Sequence, residues 1–457
     1  MLFSGLSFLF GFLPLTIILY YLSPNPRWRN GVLLLVCSLL FYAWGAPKAL
    51  PLLIGTALLV WLCGLGEEKG LRLCHPLALA FVLGSLALFK YLGFFASIFG
   101  AADRLPKLPL PAGISFYSFQ LLAYSVDLHR GRIRAERSFA RFLLYVSFFP
   151  QLLQGPILRY GETAPFLGRR EITKDDILYG VRRFLPGLGK KVLLADQVAV
   201  VAAAIYAHPA LSGTGALWLA ALCYTLQIYF DFSGYSDMAV GLGRLFGFKL
   251  PENFDHPYAA LSITDFWRRW HITLSMWFRD YVYIPLGGNR VSRGRFVLNL
   301  LTVWALTGLW HGSSWNFVLW GLYYGVLLLA EKLVIGKRLE RVPTALRRLV
   351  TFVLVTLGWV LFNLSDSRVL FPVLRRMFVF APSDWRALLA LDASVCSKLL
   401  MILPALLLCF PFPKKWTLRE DSAAAALAVN ALYAALLVLC VLFTISSSFT
   451  PFIYFNF

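Results

Sequence analysis

The chain has 457 residues, of which 59% are hydrophobic, 16% aromatic and only 14% charged. A soluble domain carries about 25% charged residues, so this composition excludes a soluble globular protein and indicates a polytopic membrane protein. The formal net charge of +20 sits in clusters of Lys and Arg between apolar runs, which is the signature of cytoplasmic loops rather than of a nucleic-acid module.

The first apolar run, Leu2 to Leu22, has no basic segment before it and no small-residue cleavage site after it, so the sequence predicts a retained transmembrane helix. Arg27 and Arg29 follow, placing the N-terminus outside. Helices are expected at about Gly31 to Trp44, Leu50 to Leu65, Pro76 to Phe99 and Pro111 to Asp127. The basic stretches Glu67 to Arg72 and Arg130 to Arg141 then fall on the same side as Arg27, which supports the orientation. From Gln154 to Lys191, short apolar pieces alternate with charge and with Pro156, Pro165 and Pro186. Re-entrant or interfacial helices are expected there, because irregular backbone at membrane depth survives only when sheltered by protein.

Spanning helices resume at about Val192 to Tyr206 and Leu217 to Phe232, and later at Phe317 to Leu333, Leu349 to Leu364, Leu399 to Phe410 and Ala423 to Ile445. Basic loops at Lys337 to Arg348 and Lys414 to Arg419 continue the alternation. The total is roughly 10 to 12 crossings in one all-α membrane domain, residues 1–457, with no internal repeat. The seven cysteines include no CxxC, and no histidine stands at metal-ligand spacing. Neither a disulfide framework nor a metal site is expected.

Between Tyr229 and Gly321 the chain carries polar groups where hydrocarbon makes them costly, and such groups usually line a cavity or serve chemistry. A helix starting near Phe296 would carry His311 roughly 20 Å from the cytoplasmic edge, near or beyond the midplane of a core about 30 Å thick. A neutral imidazole is tolerable there and is the basic form. On a continuous helix Thr307 and Trp315 would share its face, and Gly308 and Gly312 would admit a close neighbour. His271 is expected on a second helix, with Trp267 and Ser275 on its face and Arg268, Arg269 and Arg279 suited to headgroups or an anionic substrate. Asp231 and Asp237 are about 240° apart on a helix, so they form no dyad. Pairing with arginine is their expected role, and Ser233, Gly234 and Ser236 between them suggest a local break. Trp310, Asn316 and Gln154 complete the candidate substrate-lining residues, with other polar turns around Ser115 to Tyr124 and Gln151 to Arg159.

These motifs resemble the membrane-bound O-acyltransferase family, and within it the bacterial branch of alginate O-acetyltransferases and teichoic-acid D-alanyl transferases. The likeness runs from MLFSGLSFLFGFLPL through PAGISFYSFQ and FFPQLLQGPI to FWRRWHITLSMWFRDYVYIPLGG and LTGLWHGSSWNFVLWG. It implies helices around a central tunnel in a multi-pass bacterial plasma-membrane protein. It further implies that His311 is the catalytic histidine and His271 the second, cytoplasmic-side histidine. The implied reaction moves an acetyl group from cytoplasmic acetyl-CoA to hydroxyls of an extracytoplasmic polysaccharide, either an alginate-like exopolysaccharide or peptidoglycan. An extracytoplasmic SGNH-type acetyltransferase is the implied partner. D-alanyl transfer to teichoic acid is the alternative chemistry. A transporter or flippase for a lipid-linked glycan is the non-enzyme alternative, and it predicts internal repeats that the sequence lacks.

Overall fold

A computed structural model describes all residues except 1, 27, 102–105, 107, 169, 210–211, 381–392, 412–421, 447–451 and 454–457. Arg27 and the basic stretch from Lys414 to Arg419 therefore lie outside the described residues. Among the described residues every regular element is a helix, apart from an isolated antiparallel bridge between Phe254 and Trp270. Seven helices among them are long and apolar enough to cross a membrane: Trp28–Gly45, Pro47–Glu68, Cys74–Ile98, Thr214–Leu245, Trp315–Ile335, Thr344–Asn363 and Ala423–Ser446. The larger number expected from sequence also counted helices that are short or more polar, such as Ser7–Leu22, Ile114–His129, Asp196–Tyr206 and Arg293–His311. On the last long helix Leu427, Leu432, Val438 and Leu442 are exposed, as side chains facing lipid tails should be.

The chain groups into two compact units. The first comprises residues up to Leu185 together with Tyr235–Glu252, and the second Pro186–Gly234 together with Asn253–Ile453. In the first unit, α1 (Leu50–Glu68), α2 (Cys74–Leu86) and α3 (Ile114–His129) pack against one another. Gly64 makes this packing possible, since a Cβ there would stand 3.1 Å from the ring and hydroxyl of Tyr124. That hydroxyl accepts the Glu136 amide at 3.1 Å. The basic segment after α3 is neutralised locally: Arg132 meets Asp127 at 3.3 Å, Arg137 meets Glu68 at 2.5 Å and Arg141 meets Glu136 at 2.8 Å.

The long helix α4 (Thr214–Leu245) is continuous through Ser233, Gly234 and Ser236, so the local break expected there does not occur. In the first unit Asp237 pairs with Arg183 at 2.7 Å, as anticipated. Asp231 pairs instead with a lysine. Lys191 Nζ lies 2.7 Å from Asp231 and 2.8 Å from Asp196, with Lys191 and Asp231 each 1% exposed. Burial by itself lowers the Lys191 ammonium, but the two carboxylates outweigh it and raise it above the ordinary lysine value. The second oxygen of Asp231 accepts the Ile453 amide at 2.9 Å. A buried charge of this kind is stable only while its partners remain.

Five further helices build the rest of the second unit's centre: α5 (Ile263–Arg269), α6 (Ile272–Phe278), α7 (Arg293–His311), α8 (Trp315–Ala330) and α9 (Thr344–Asn363). The closest pairing is α7 against α8. A Cβ on Gly308 would collide with the Phe317 carbonyl, and one on Gly321 with the Trp304 carbonyl. The backbones therefore touch at a glycine pair. Tyr323 and Asn316 then tie α8 to α9 by donating to the Leu354 carbonyl at 2.8 Å and the Phe362 carbonyl at 3.0 Å.

Replacing Asp231 by leucine should destabilise the fold by about 3–5 kcal/mol, because the buried Lys191 loses its best partner. Asp231→Asn keeps an acceptor for the Ile453 amide and should lose less. Thermal unfolding of the purified variants in detergent measures both, and a wild-type midpoint for Asp231→Leu would remove the ion cluster from the stability argument.

Candidate active site

His271 does not sit within a helix. It occupies the junction between α5 and α6 with φ 45° and ψ 56°, a left-handed conformation that is rare for a residue with a Cβ. The expected i−4 and i+4 neighbours, Trp267 and Ser275, thus belong to two short helices rather than one face. The segment Asn253–Asp255 holds the junction open. The Asp255 amide donates to the Arg269 carbonyl at 3.0 Å, and the Ile272 amide to the Asn253 carbonyl at 3.0 Å. The Asn253 side-chain oxygen accepts both the amide and the hydroxyl of Thr273, at 3.1 and 2.8 Å. Strain of this kind persists only where the surroundings over-determine it, and it clusters at functional sites.

The outcome is an imidazole that is 1% exposed, with Phe232 at 4.7 Å and Trp310 at 5.9 Å between ring centroids. Both of its ring nitrogens lack a protein hydrogen bond. Burial with no carboxylate beside it pushes the His271 imidazole down to about 3, so the ring is neutral and offers one donor and one acceptor.

His311 is the last residue of α7. Gly312 follows in an extended conformation, and α8 begins at Trp315. The helix does not continue past the histidine, so the expected i+4 alignment of Trp315 with His311 fails, and Trp315 is 59% exposed. Thr307 does lie one turn before His311 on α7, its hydroxyl donating to the Val303 carbonyl at 2.8 Å. The imidazole of His311 is 3% exposed and packs on Trp310 at 4.9 Å, Trp320 at 4.9 Å and Phe362 at 5.3 Å. Trp310 thus touches both histidines. The sequence put them at separate depths along a path; in the structure a single indole lies between them.

A cavity of about 230 Å³ opens beside this cluster, between α5, α6 and α7. Trp267, Arg268 and Ser275 line it as the sequence suggested, together with Thr307, Arg279 and Lys332. Apart from Thr264 and Tyr283, its remaining wall is apolar: Leu274, Phe278, Leu300, Val303, Trp304 and Leu328. A stem of hydrocarbon with cations around it suits a ligand that has an extended chain and an anionic end. From the cavity wall, Trp267 reaches Trp320 at 5.6 Å, and Trp320 reaches His311 at 4.9 Å. The indole nitrogens of Trp267 and Trp320 are buried donors without acceptors in the protein.

Other candidates lie elsewhere. Arg269 is held by Asp265 at 2.9 Å and Asp255 at 3.7 Å, and does not line the cavity. Its guanidinium also donates to the Asp255 carbonyl at 3.4 Å, which joins it to the turn that shapes His271. Asn316 is bound to the end of α9. Gln154 belongs to the first unit, fully buried. Sequence inspection overlooked Asn253, Phe232 and Trp320. Asn253 lies almost 20 residues before the histidine that it positions, with only the polar run around Asp255 and His256 as a signal.

The family profile described as "MBOAT, membrane-bound O-acyltransferase family" matches residues 97–372. The chain belongs to the membrane-bound O-acyltransferase family. It is 42% identical over 404 residues to "Probable alginate O-acetylase AlgI" of Pseudomonas syringae pv. tomato, covering 84% of this chain and 76% of that protein. It is 35% identical over 420 residues to the "Peptidoglycan O-acetyltransferase" of Helicobacter pylori, covering 82% and 80%. The "Teichoic acid D-alanyltransferase" of Bacillus subtilis is 30% identical over 274 residues, covering 55% of this chain and 68% of that protein. The MBOAT assignment makes the chain a multi-pass O-acyltransferase of the bacterial inner membrane, and it removes the transporter alternative.

The two arginines should separate by kinetics. Arg268→Ala should raise the KM for the acyl donor by roughly ten- to a hundredfold, the worth of hydrogen bonds to a charged group. Arg269→Ala should leave that KM unchanged, and its contribution to stability as a half-exposed ion pair is at most about 1 kcal/mol. Steady-state kinetics on both variants decide this, and identical KM shifts would mean that the cavity is not the donor's seat.

Proposed function

We propose that the chain transfers an acetyl group from cytoplasmic acetyl-CoA, through the second unit, to hydroxyls of an extracytoplasmic polysaccharide. His311 is the general base, and residues 1–457 serve as one acyltransferase domain. The observation that supports this most is the run from the cationic cavity through Trp267 and Trp320 to His311. The alginate and peptidoglycan acetylases among its relatives cover most of both chains, which favours acetyl as the acyl group and a polysaccharide as acceptor. The teichoic-acid relative aligns with little more than half of this chain, so D-alanyl transfer is the second reading.

The chemistry needs a proton taken from an acceptor hydroxyl as the thioester carbonyl is attacked. Neutral imidazole is suited to that step at neutral pH. The hydroxyl oxygen forms the new bond to the carbonyl carbon, its proton passes to His311, and coenzyme A leaves as the thiol once reprotonated. In this scheme Arg268, Arg279 and Lys332 meet the donor's phosphates, and the apolar wall holds its pantetheine arm. His271 and Trp310 flank the route as neutral hydrogen-bonding groups, and Asn253 and Arg269 position the turn that carries His271. A separate extracytoplasmic SGNH-type acetyltransferase completes delivery to polymer.

His311→Ala should abolish transfer of radiolabelled acetyl from acetyl-CoA while the protein still elutes as a folded species. His311→Gln should be equally inactive, since an amide does not accept the proton. Polymer acetylation at the wild-type level in either variant would reject His311 as the base. In vesicles of fixed orientation, turnover should require donor on the side of the basic loops around Lys69 and Arg130. Equal turnover with donor on either side would defeat the proposed route.

A further inference from the structure

Away from the acyltransferase site, three helix ends of the first unit bring together side chains that are far apart in sequence. Glu67 lies in the last turn of α1, His75 is the second residue of α2, and His129 is the last residue of α3. One potential ligand atom from each falls within 4.8 Å of the others. The imidazoles stack face to face, 4.1 Å between centroids and 7° from parallel. His129 Nδ1 stands 2.7 Å from a Glu67 oxygen, and His75 Nδ1 stands 2.9 Å from the Ser125 hydroxyl.

We propose that Glu67, His75 and His129 form a binding site for a divalent transition-metal ion of the Zn²⁺ class, clamping the ends of α1, α2 and α3. Two imidazoles and one carboxylate make a borderline donor set that suits such an ion and disfavours Ca²⁺ or Mg²⁺, which take oxygen ligands. Ser125 supplies the outer contact that metal-binding histidines usually have, its hydroxyl 2.9 Å from His75 Nδ1. The neighbouring acids are committed elsewhere, Glu68 to Arg137 and Asp127 to Arg132, which leaves Glu67 to the imidazoles. Metal–ligand bonds of about 2.0–2.2 Å require the three atoms to draw closer. The exposed His129 side chain, at a helix end, has room to swing inward, and water fills the remaining position. The short turn between α1 and α2 fixes two of the ligands before any metal arrives. Gly70 there takes φ 84°, and the Leu71 amide closes back on the Gly66 carbonyl at 3.1 Å. Sequence spacing carried no metal signal because His75 and His129 are 54 positions apart and come from different helices.

The test uses the full chain purified in detergent and stripped with a chelator. Zn²⁺ is titrated in competition with a chromophoric chelator, and Co²⁺ is added separately to read its visible absorption. Wild type should take up one equivalent of Zn²⁺, give a Co²⁺ spectrum of low coordination number, and melt at a higher temperature with Zn²⁺ than without. His75→Asn with His129→Asn should abolish all three effects. Ser125→Ala should weaken Zn²⁺ binding roughly ten- to a hundredfold, as loss of an outer-shell partner does. His256→Asn, which alters a half-exposed histidine outside the cluster, should bind as wild type. The clamp is overturned if wild type retains no Zn²⁺ or gives no Co²⁺ bands, or if the double variant binds as tightly as wild type. Should the double variant not fold, Glu67→Gln and Ser125→Ala decide the matter, since unchanged affinity in both also rejects the site.

Discussion

The contact between the backbones of α7 and α8 at Gly308 and Gly321 governs the second unit. No other residue fits, because a single Cβ on either glycine would strike a carbonyl of the opposite helix. Once the backbones are this close, Trp304 of α7 and Trp320 and Tyr324 of α8 are forced out of the seam on one side, and there they pack against Trp267. The aromatic cluster that leads to His311 thus follows from two missing side chains. The turn that ends α7 at Gly312 belongs to the same constraint, since the chain must reverse at once for α8 to lie against α7. His311 is thereby the last helical residue before a tight reversal, held between rings that come from both arms of the hairpin.

Polarity inside this apolar unit is handled in two ways. The Lys191, Asp231 and Asp196 cluster is closed: its charges meet within 2.8 Å. Tyr258 is equally satisfied, donating to the Thr225 carbonyl at 2.6 Å and accepting from Trp359 at 3.1 Å. Around the histidines the pattern reverses. His271, Trp267 and Trp320 keep buried donors or acceptors without protein partners. Low dielectric makes such groups expensive to leave open, and the same low dielectric strengthens the bonds that a polar guest makes with them.

Composition and hydropathy pattern by themselves established an all-helical, multi-pass membrane protein. The motifs around Trp267 to His271 and Trp310 to His311 sufficed to place the chain in its family and to single out both histidines. These features are local: hydrophobic runs, loop charge and short strings of residues are written directly in the chain. The cavity residues Trp267, Arg268 and Ser275 were also legible, since each stands within four positions of His271.

What the tertiary structure decided are the properties that depend on where helices stop and on what packs across. A continuous helix was the natural expectation for Trp267 to Ser275, yet Asn253 and Asp255 split it and drive His271 into a left-handed turn. Periodicity likewise carried α7 through to Trp315, whereas the glycine contact with α8 ends it at His311. Arg268 and Arg269 look interchangeable in sequence. A turn of about 100° per residue sends one into the cavity and the other to Asp265 and Asp255. Asp231 was expected to meet an arginine, and a lysine 40 residues away reached it instead. Each of these outcomes rests on a non-local contact, and a single chain read in order holds no record of which distant backbone will come close enough to break a helix or claim a charge.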